Sequence, residues 1–187
     1  MSMGNTMTTK NPNYSTWEEY FMTSAILAST RSKDPSTQVG ACIVDNNNII
    51  VSSGYNGLTR GMNDDTFPWD SPGEKTGDIK TTKNPFVVHA ELNAILNSHS
   101  NDLEGTTLYV TLFPCNECAK AIIQSGIKKV VYLRDYKHKD LVDITKLMFD
   151  AAGVECVKYN ENINLTKEDV NDISNNVKKM MKRYSNK

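Results

Sequence analysis

The second half of the chain alternates between two kinds of segment, and that alternation constrains the fold more than any other feature. "TTLYVTLF" (106–113), "KKVVYLR" (128–134) and "VECVKY" (154–159) are short, apolar and β-branched, and they read as strands. Between them, "CNECAKAIIQSG" and "DLVDITKLMFDAAG" (140–153) carry helical periodicity and close on glycines, Gly126 and Gly153. Strand–helix–strand–helix–strand implies parallel neighbours joined by crossovers, with helices packed on the sheet. Upstream, "VGACIVD" (39–45) and "IIVSSG" (49–54) flank "NNN" (46–48), which predicts a β-hairpin. The expected core is α/β, with one mixed sheet whose first two strands are antiparallel.

The remaining segments fit around that sheet. "STWEEYFMTSAILASTRSK" predicts a first helix, capped by Ser15 with Glu18. Trp17, Tyr20, Phe21, Ser24, Leu27 and Ala28 share one face of it and are expected to pack on the core. Residues 55–85 are polar, rich in Gly, Pro, Asp and Lys, and without a clear period; loops this long are usually functional or disordered. "HAELNAILNSHS" reads as a helix with Leu92, Ile95 and Leu96 on one side. The expected organisation is a disordered leader over 1–14, one domain over 15–160 and a helical tail over 161–187. Thr166 and Asp169 cap the tail.

Bulk properties narrow the function classes. A chain of 187 residues suits one domain, and a formal net charge of -1 argues against a surface built to coat nucleic acid. No apolar run is long enough to cross a bilayer. The leader lacks the apolar region of an export signal. Cys42, Cys115, Cys118 and Cys156 are therefore expected as reduced thiols or metal ligands in a cytoplasmic setting.

Two fragments carry chemistry: "HAELNAI" (89–95) and "FPCNECAKAI" (113–122). Cys115 and Cys118 lie three residues apart at a helix start, so both sulfurs face one side and both thiols ionise more readily there. Pro114 helps begin that turn. His89 supplies a third ligand. Two thiolates and an imidazole balance Zn²⁺ and leave a fourth position for water, which marks a catalytic rather than a closed structural site. Bound zinc makes hydroxide accessible near pH 7. Glu91, two residues past His89, is placed to shuttle protons. Four residues compete for the fourth position. Cys42 and Cys156 lie in apolar strands, His99 at a polar helix end and His138 in "DYKHKD", so none is expected as a ligand. H-x-E followed by P-C-x-x-C is the signature of zinc deaminases.

Together with "SKDPSTQVGACIV" and "GYNG", these fragments resemble the deoxycytidylate (dCMP) deaminases of the cytidine-deaminase-like superfamily, over roughly residues 17–159. The resemblance implies a three-layer fold, a mixed five-stranded sheet with helices on both faces. It implies hydrolysis of dCMP to dUMP and ammonia, feeding thymidylate synthesis. It also implies that the backbone at Ala90 holds the pyrimidine carbonyl, that Asn56 contacts the nucleoside, and that a carbonyl near Pro114 accepts from the amino group. Such enzymes are activated by dCTP with Mg²⁺, inhibited by dTTP, and hexameric. Arg31 and Lys33 are placed by motif to reach substrate phosphate or effector, and Gly57 belongs to the loop that contributes to the effector site. Phage-type members hold phosphate with an arginine after H-x-E; here that stretch reads "NSHSND". Residues 55–85 hold no Cys or His, so one zinc per subunit is expected. The rival reading is a zinc deaminase acting on a base in RNA or DNA. The near-neutral charge and the lack of a basic, aromatic-rich face count against it.

Overall fold

The computed structural model describes residues 9–71, 78–99 and 102–159, together with 169, 171–173, 175–177, 179 and 182 of the tail. The elements are α1 (Trp17–Ser29), β1 (Gly40–Val44), β2 (Ile50–Tyr55), β3 (Gly57–Leu58), a 3₁₀ turn (Ile79–Thr81), β4 (Val87–Val88), α2 (Ala90–Asn97), β5 (Thr107–Leu112), α3 (Asn116–Gln124), β6 (Lys129–Arg134), α4 (Lys139–Ala152) and β7 (Glu155–Lys158). Five strands form one mixed sheet in the order β2-β1-β5-β6-β7. β1 runs antiparallel to both β2 and β5, whereas β5, β6 and β7 are parallel. The predicted α/β architecture is the observed one.

Alternating strand residues divide the core into two halves. Ala41, Ile43, Leu108, Val110 and Val130 face α2, α3 and α4, where they meet Ala90, Ala94, Ala119, Ile122 and Phe149. Cys42, Val44, Tyr109, Val131 and Leu133 face α1 and meet Phe21, Met22, Ala25 and Ile26. Each large side chain buried here contributes about 1.5–3 kcal/mol. Cys42 is fully buried, while Cys156 on the edge strand β7 is half-buried.

The buried face of α1 differs from the expected one. Phe21, Met22, Ala25, Ile26 and Ser29 are buried, whereas Trp17, Tyr20 and Leu27 are about half exposed. The reason lies in β1. Gly40 lies directly against the backbone of Ala25 and Ser29, so the helix turns its small residues to the sheet. Trp17 instead stacks on Phe21, with centroids 5.6 Å apart. The cap shifts too. Thr16 rather than Ser15 is the N-cap, and it forms the reciprocal box with Glu19 rather than Glu18. "STWEE" contains two overlapping copies of the motif, and the helix uses the second.

The hairpin forms as predicted. Asp45 Oδ1 accepts from the N–H groups of Asn47 and Ile49, and Asn48 takes the left-handed conformation, with φ 62°. The polar stretch over 55–85 is less irregular than expected. It contains β3, paired antiparallel with β4, and the 3₁₀ turn. A two-residue ladder is too short to show a period in sequence. The described tail positions are helical, and Ile173 packs against the α1 side of the core. Residues 1–8 of the leader and Thr166 of the tail cap lie outside the described residues.

α2 is held unusually close to β2. A Cβ on Gly54 would collide with the backbone of Ala90 and Ala94. Ser52 Oγ donates to Ala94 O at 2.5 Å. Asn93 and Asn97, one turn apart, donate from Nδ2 to the carbonyls of Tyr55 (2.8 Å) and Ser53 (3.2 Å) on β2. Gly54→Ala is therefore expected to destabilise the protein by about 1–3 kcal/mol, or more if α2 must shift. Urea unfolding measures this; an unchanged midpoint would show that the close approach is dispensable.

Candidate active site

Two helix starts converge at one end of the sheet. His89 is the N-cap of α2, delivered by β4, and Cys115 is the N-cap of α3, delivered by the end of β5. Both have extended backbones (ψ 157° and 168°), and neither side chain caps its own helix. Their donor atoms are thus turned outward. Cys118 sits within the first turn of α3. His89 Nδ1 lies 3.3 Å from Cys118 Sγ and 3.5 Å from Cys115 Sγ. All three donors fall within 4.8 Å of one another.

This spacing fits zinc. A tetrahedral ion with Zn–S about 2.3 Å and Zn–N about 2.0–2.1 Å separates S from N by about 3.6 Å. The chemistry of the set, one imidazole and two thiols at positive helix ends, suits the same ion. His99 and His138 are exposed, and Cys42 is sealed in the other half of the core. Among the described residues, these three are the His/Cys/Asp/Glu group with metal-binding geometry.

The electrostatics follow from the crowding. Hydrogen bonding from Cys118 and then from His89 brings the Cys115 thiol down to about 4, against the opposing cost of burial. That same hydrogen bond, together with burial, pushes the Cys118 thiol up. His89 is raised, chiefly by its bond to Cys115. Glu91, 4% exposed, has its carboxyl raised above the ordinary value because burial disfavours the charged form. A cation in the site would oppose that shift.

Zinc-stripped protein should therefore be alkylated by iodoacetamide first at Cys115, even at pH 6. Cys42, pushed up to about 12 by burial, should stay unmodified. Peptide mass spectrometry reads this order, and zinc should suppress the Cys115 adduct. Labelling of Cys42 ahead of Cys115 would contradict the assignment.

A cavity of about 180 Å³ opens over the three donors. Its lining includes His89, Ala90, Glu91 and Cys115, the apolar side chains of Val87, Leu112 and Phe113, and the polar side chains of Asn56 and Thr37. Pro114 is buried just before the α3 N-cap. Arg31, Lys33 and Gly57 are elsewhere. They line a second cleft of about 160 Å³ with Tyr55, Arg60, Asp64 and Trp69. There Arg31 lies over the Tyr55 ring, and Lys33 pairs with Asp64.

The lining residues that were not singled out from sequence include Asp34, Lys83 and Tyr136. Asp34 sits in "DPST", a turn signal that could have marked it. Burial works to raise its carboxyl, but Lys83, Thr37 and Ser36 outweigh burial and hold it below the usual range. Tyr136 lies in "DYKHKD", which reads as a solvated loop, and nothing local marks Lys83.

Comparison with known proteins gives the same answer as the geometry. The family model for the cytidine and deoxycytidylate deaminase zinc-binding region matches residues 15–134. The chain belongs to this deaminase family. Human deoxycytidylate deaminase is 51% identical to this deaminase over 151 residues, covering 80% of this chain and 83% of the human one. Deoxycytidylate deaminase of phage T2 is 40% identical over 145 residues, covering 60% of this chain and 77% of the relative. Among solved structures, dCMP deaminase from the cyanophage S-TIM5 in complex with dCMP and dUMP superimposes with a TM-score of 0.60. It is 32% identical, and the match covers 76% of this chain and 96% of that one.

Proposed function

We propose that this deaminase hydrolyses dCMP to dUMP and ammonia, and so feeds thymidylate synthesis. The observation that carries the reading is the convergence of His89, Cys115 and Cys118 beside a buried Glu91, in a cavity of about 180 Å³. The 51% identity to human deoxycytidylate deaminase supports the substrate class.

Zinc held by His89, Cys115 and Cys118 supplies a Lewis acid that makes water nucleophilic near neutral pH. The chain's own groups handle orientation and protons. Glu91 takes one proton from the attacking water and passes it to N3; it then takes the second, from the hydroxyl added at C4, and gives it to the amine as the C4–N bond breaks. Burial raises the Glu91 carboxyl above the ordinary value, which favours holding the proton. Ala90 is the first residue of α2, so its N–H has no intrahelical acceptor and is available to the pyrimidine carbonyl. A carbonyl near Pro114 accepts from the amino group. Val87, Leu112 and Phe113 exclude bulk water from the ring.

Regulation fits the second cleft. Arg31, Lys33 and Arg60 provide cations, and Tyr55 and Trp69 provide aromatic faces, for dCTP with Mg²⁺ as activator and dTTP as inhibitor. Exposed Leu96 on α2 and Ile144 and Leu147 on α4 offer apolar surface for a hexamer. Four free thiols suit a cytoplasmic setting.

The test is ammonia release from dCMP, dCTP, deoxycytidine and CMP, with and without dCTP–Mg²⁺ where dCTP is not the substrate. dCMP should lead, and activation should depend on Arg31. Equal or faster turnover of deoxycytidine, or turnover only of single-stranded RNA or DNA, would overturn the substrate assignment.

A further inference from the structure

On one wall of the cavity lies a buried ion pair that no step above uses. Asp34 and Lys83 are 3% and 9% exposed. Lys83 Nζ donates to Asp34 Oδ1 at 2.7 Å, to Asp34 Oδ2 at 2.6 Å, and to Ser36 Oγ. An ammonium has three hydrogens, and three acceptors take them. Although it is a cation in a nucleotide pocket, Lys83 has no donor left for a phosphate.

The pair acts instead on its neighbour. Asp34 Oδ1 also accepts from the N–H groups of Ser36 (2.8 Å) and Thr37 (3.0 Å), which fixes the turn entering β1. Asn56 then meets fixed partners on every side. Its Nδ2 donates to Thr37 O at 3.0 Å and to Asp34 Oδ2 at 3.3 Å, and its Oδ1 accepts from Val39 N at 2.8 Å. The reversed amide would set NH₂ against the Val39 N–H and oxygen against a carboxylate and a carbonyl. The partners therefore dictate one orientation. Both amide hydrogens are spent, and one lone pair of Oδ1 remains. Asn56 can accept from a ligand in the cavity but cannot donate to one. A phosphate and the pyrimidine C2 carbonyl are acceptors; the nucleotide's donors are the 4-amino group, which the carbonyl near Pro114 takes in the reading above, and the sugar hydroxyl.

We propose that the Asp34–Lys83 ion pair is a positioning device of the substrate pocket. It holds the Asn56 amide with its oxygen toward the sugar 3′-hydroxyl of the bound nucleotide, so that the pocket selects for that donor. The inference rests on the dCMP reading above and adds a specificity element to it.

The experiment compares the zinc-loaded full-length enzyme on dCMP and on the same nucleotide lacking the 3′-hydroxyl. The native enzyme should favour dCMP by at least about tenfold in kcat/KM. In Lys83→Met that ratio should fall to about one, with the loss on dCMP falling mainly on KM. Removing one partner of a buried pair can prevent folding. The double variant Asp34→Asn/Lys83→Met, which removes both charges, should then show the same collapse of the ratio. A preference retained in both variants, or equal losses on the two substrates, overturns the proposal, as does a native enzyme that ignores the hydroxyl. A native enzyme that turns over neither substrate would instead overturn the dCMP reading itself.

Discussion

Glu91→Gln should lower turnover of dCMP by about 100- to 10,000-fold while leaving bound zinc in place. Gln is isosteric and fills the same buried space, so packing against α3 should persist. What it lacks is a proton to exchange. The sign of the stability effect is also fixed. Burial raises the Glu91 carboxyl above its ordinary value of 4.5, so the folded zinc-free protein binds this proton more tightly than the unfolded chain does. The stability that Glu91 contributes is therefore full below about pH 4.5 and is lost as pH rises through the raised value. Gln does not titrate. Zinc-free Glu91→Gln should melt above zinc-free native protein at neutral pH, and the gap should narrow toward pH 4.5. Calorimetry across that range, paired with steady-state ammonia release, reads both effects. Near-native turnover would discard the proton-shuttle role.

Cys118→Ala should reduce bound zinc from one ion per chain to background and abolish turnover with it. The site has three protein donors within 4.8 Å, so losing one leaves two ligands on an ion that wants four. The expected loss of affinity exceeds the roughly 10- to 100-fold that follows changes outside the ligand set. Stability should follow occupancy. Zinc at about 1,000 times its Kd adds about 4 kcal/mol to the folded state. For a chain of this size that corresponds to about 8–16 °C in Tm. Chelator should lower the native Tm by such an amount and leave Cys118→Ala unmoved. Elemental analysis that finds stoichiometric zinc in Cys118→Ala would refute the ligand set.

The pieces of the candidate site were legible because each is local. H-x-E and P-C-x-x-C each keep their partners within a helical turn, and the fold brings the two helix starts to one end of the sheet. The buried face of α1 was misread for a reason that is not local. Its aromatics make a good stripe, but Gly40, eleven residues beyond Ser29, selects Ala25 and Ser29 for contact. Lys83 was invisible for the same reason. It pairs with Asp34 from 49 residues away, and nothing around either residue announces the other. Asn56 was singled out as a nucleoside contact. What no motif could supply is its hydrogen-bonding state, which depends on Asp34, Thr37 and Val39 together.

The bonds from Asn93 and Asn97 to the carbonyls of Tyr55 and Ser53 bear on how the molecule meets other molecules. β2 is the outermost strand on its side, and the ladder's alternation turns these two carbonyls away from β1. With amides already seated on them, that border cannot template an incoming strand from another chain. Filament growth by edge-to-edge pairing is hindered along β2 by two side chains of the helix that carries Glu91.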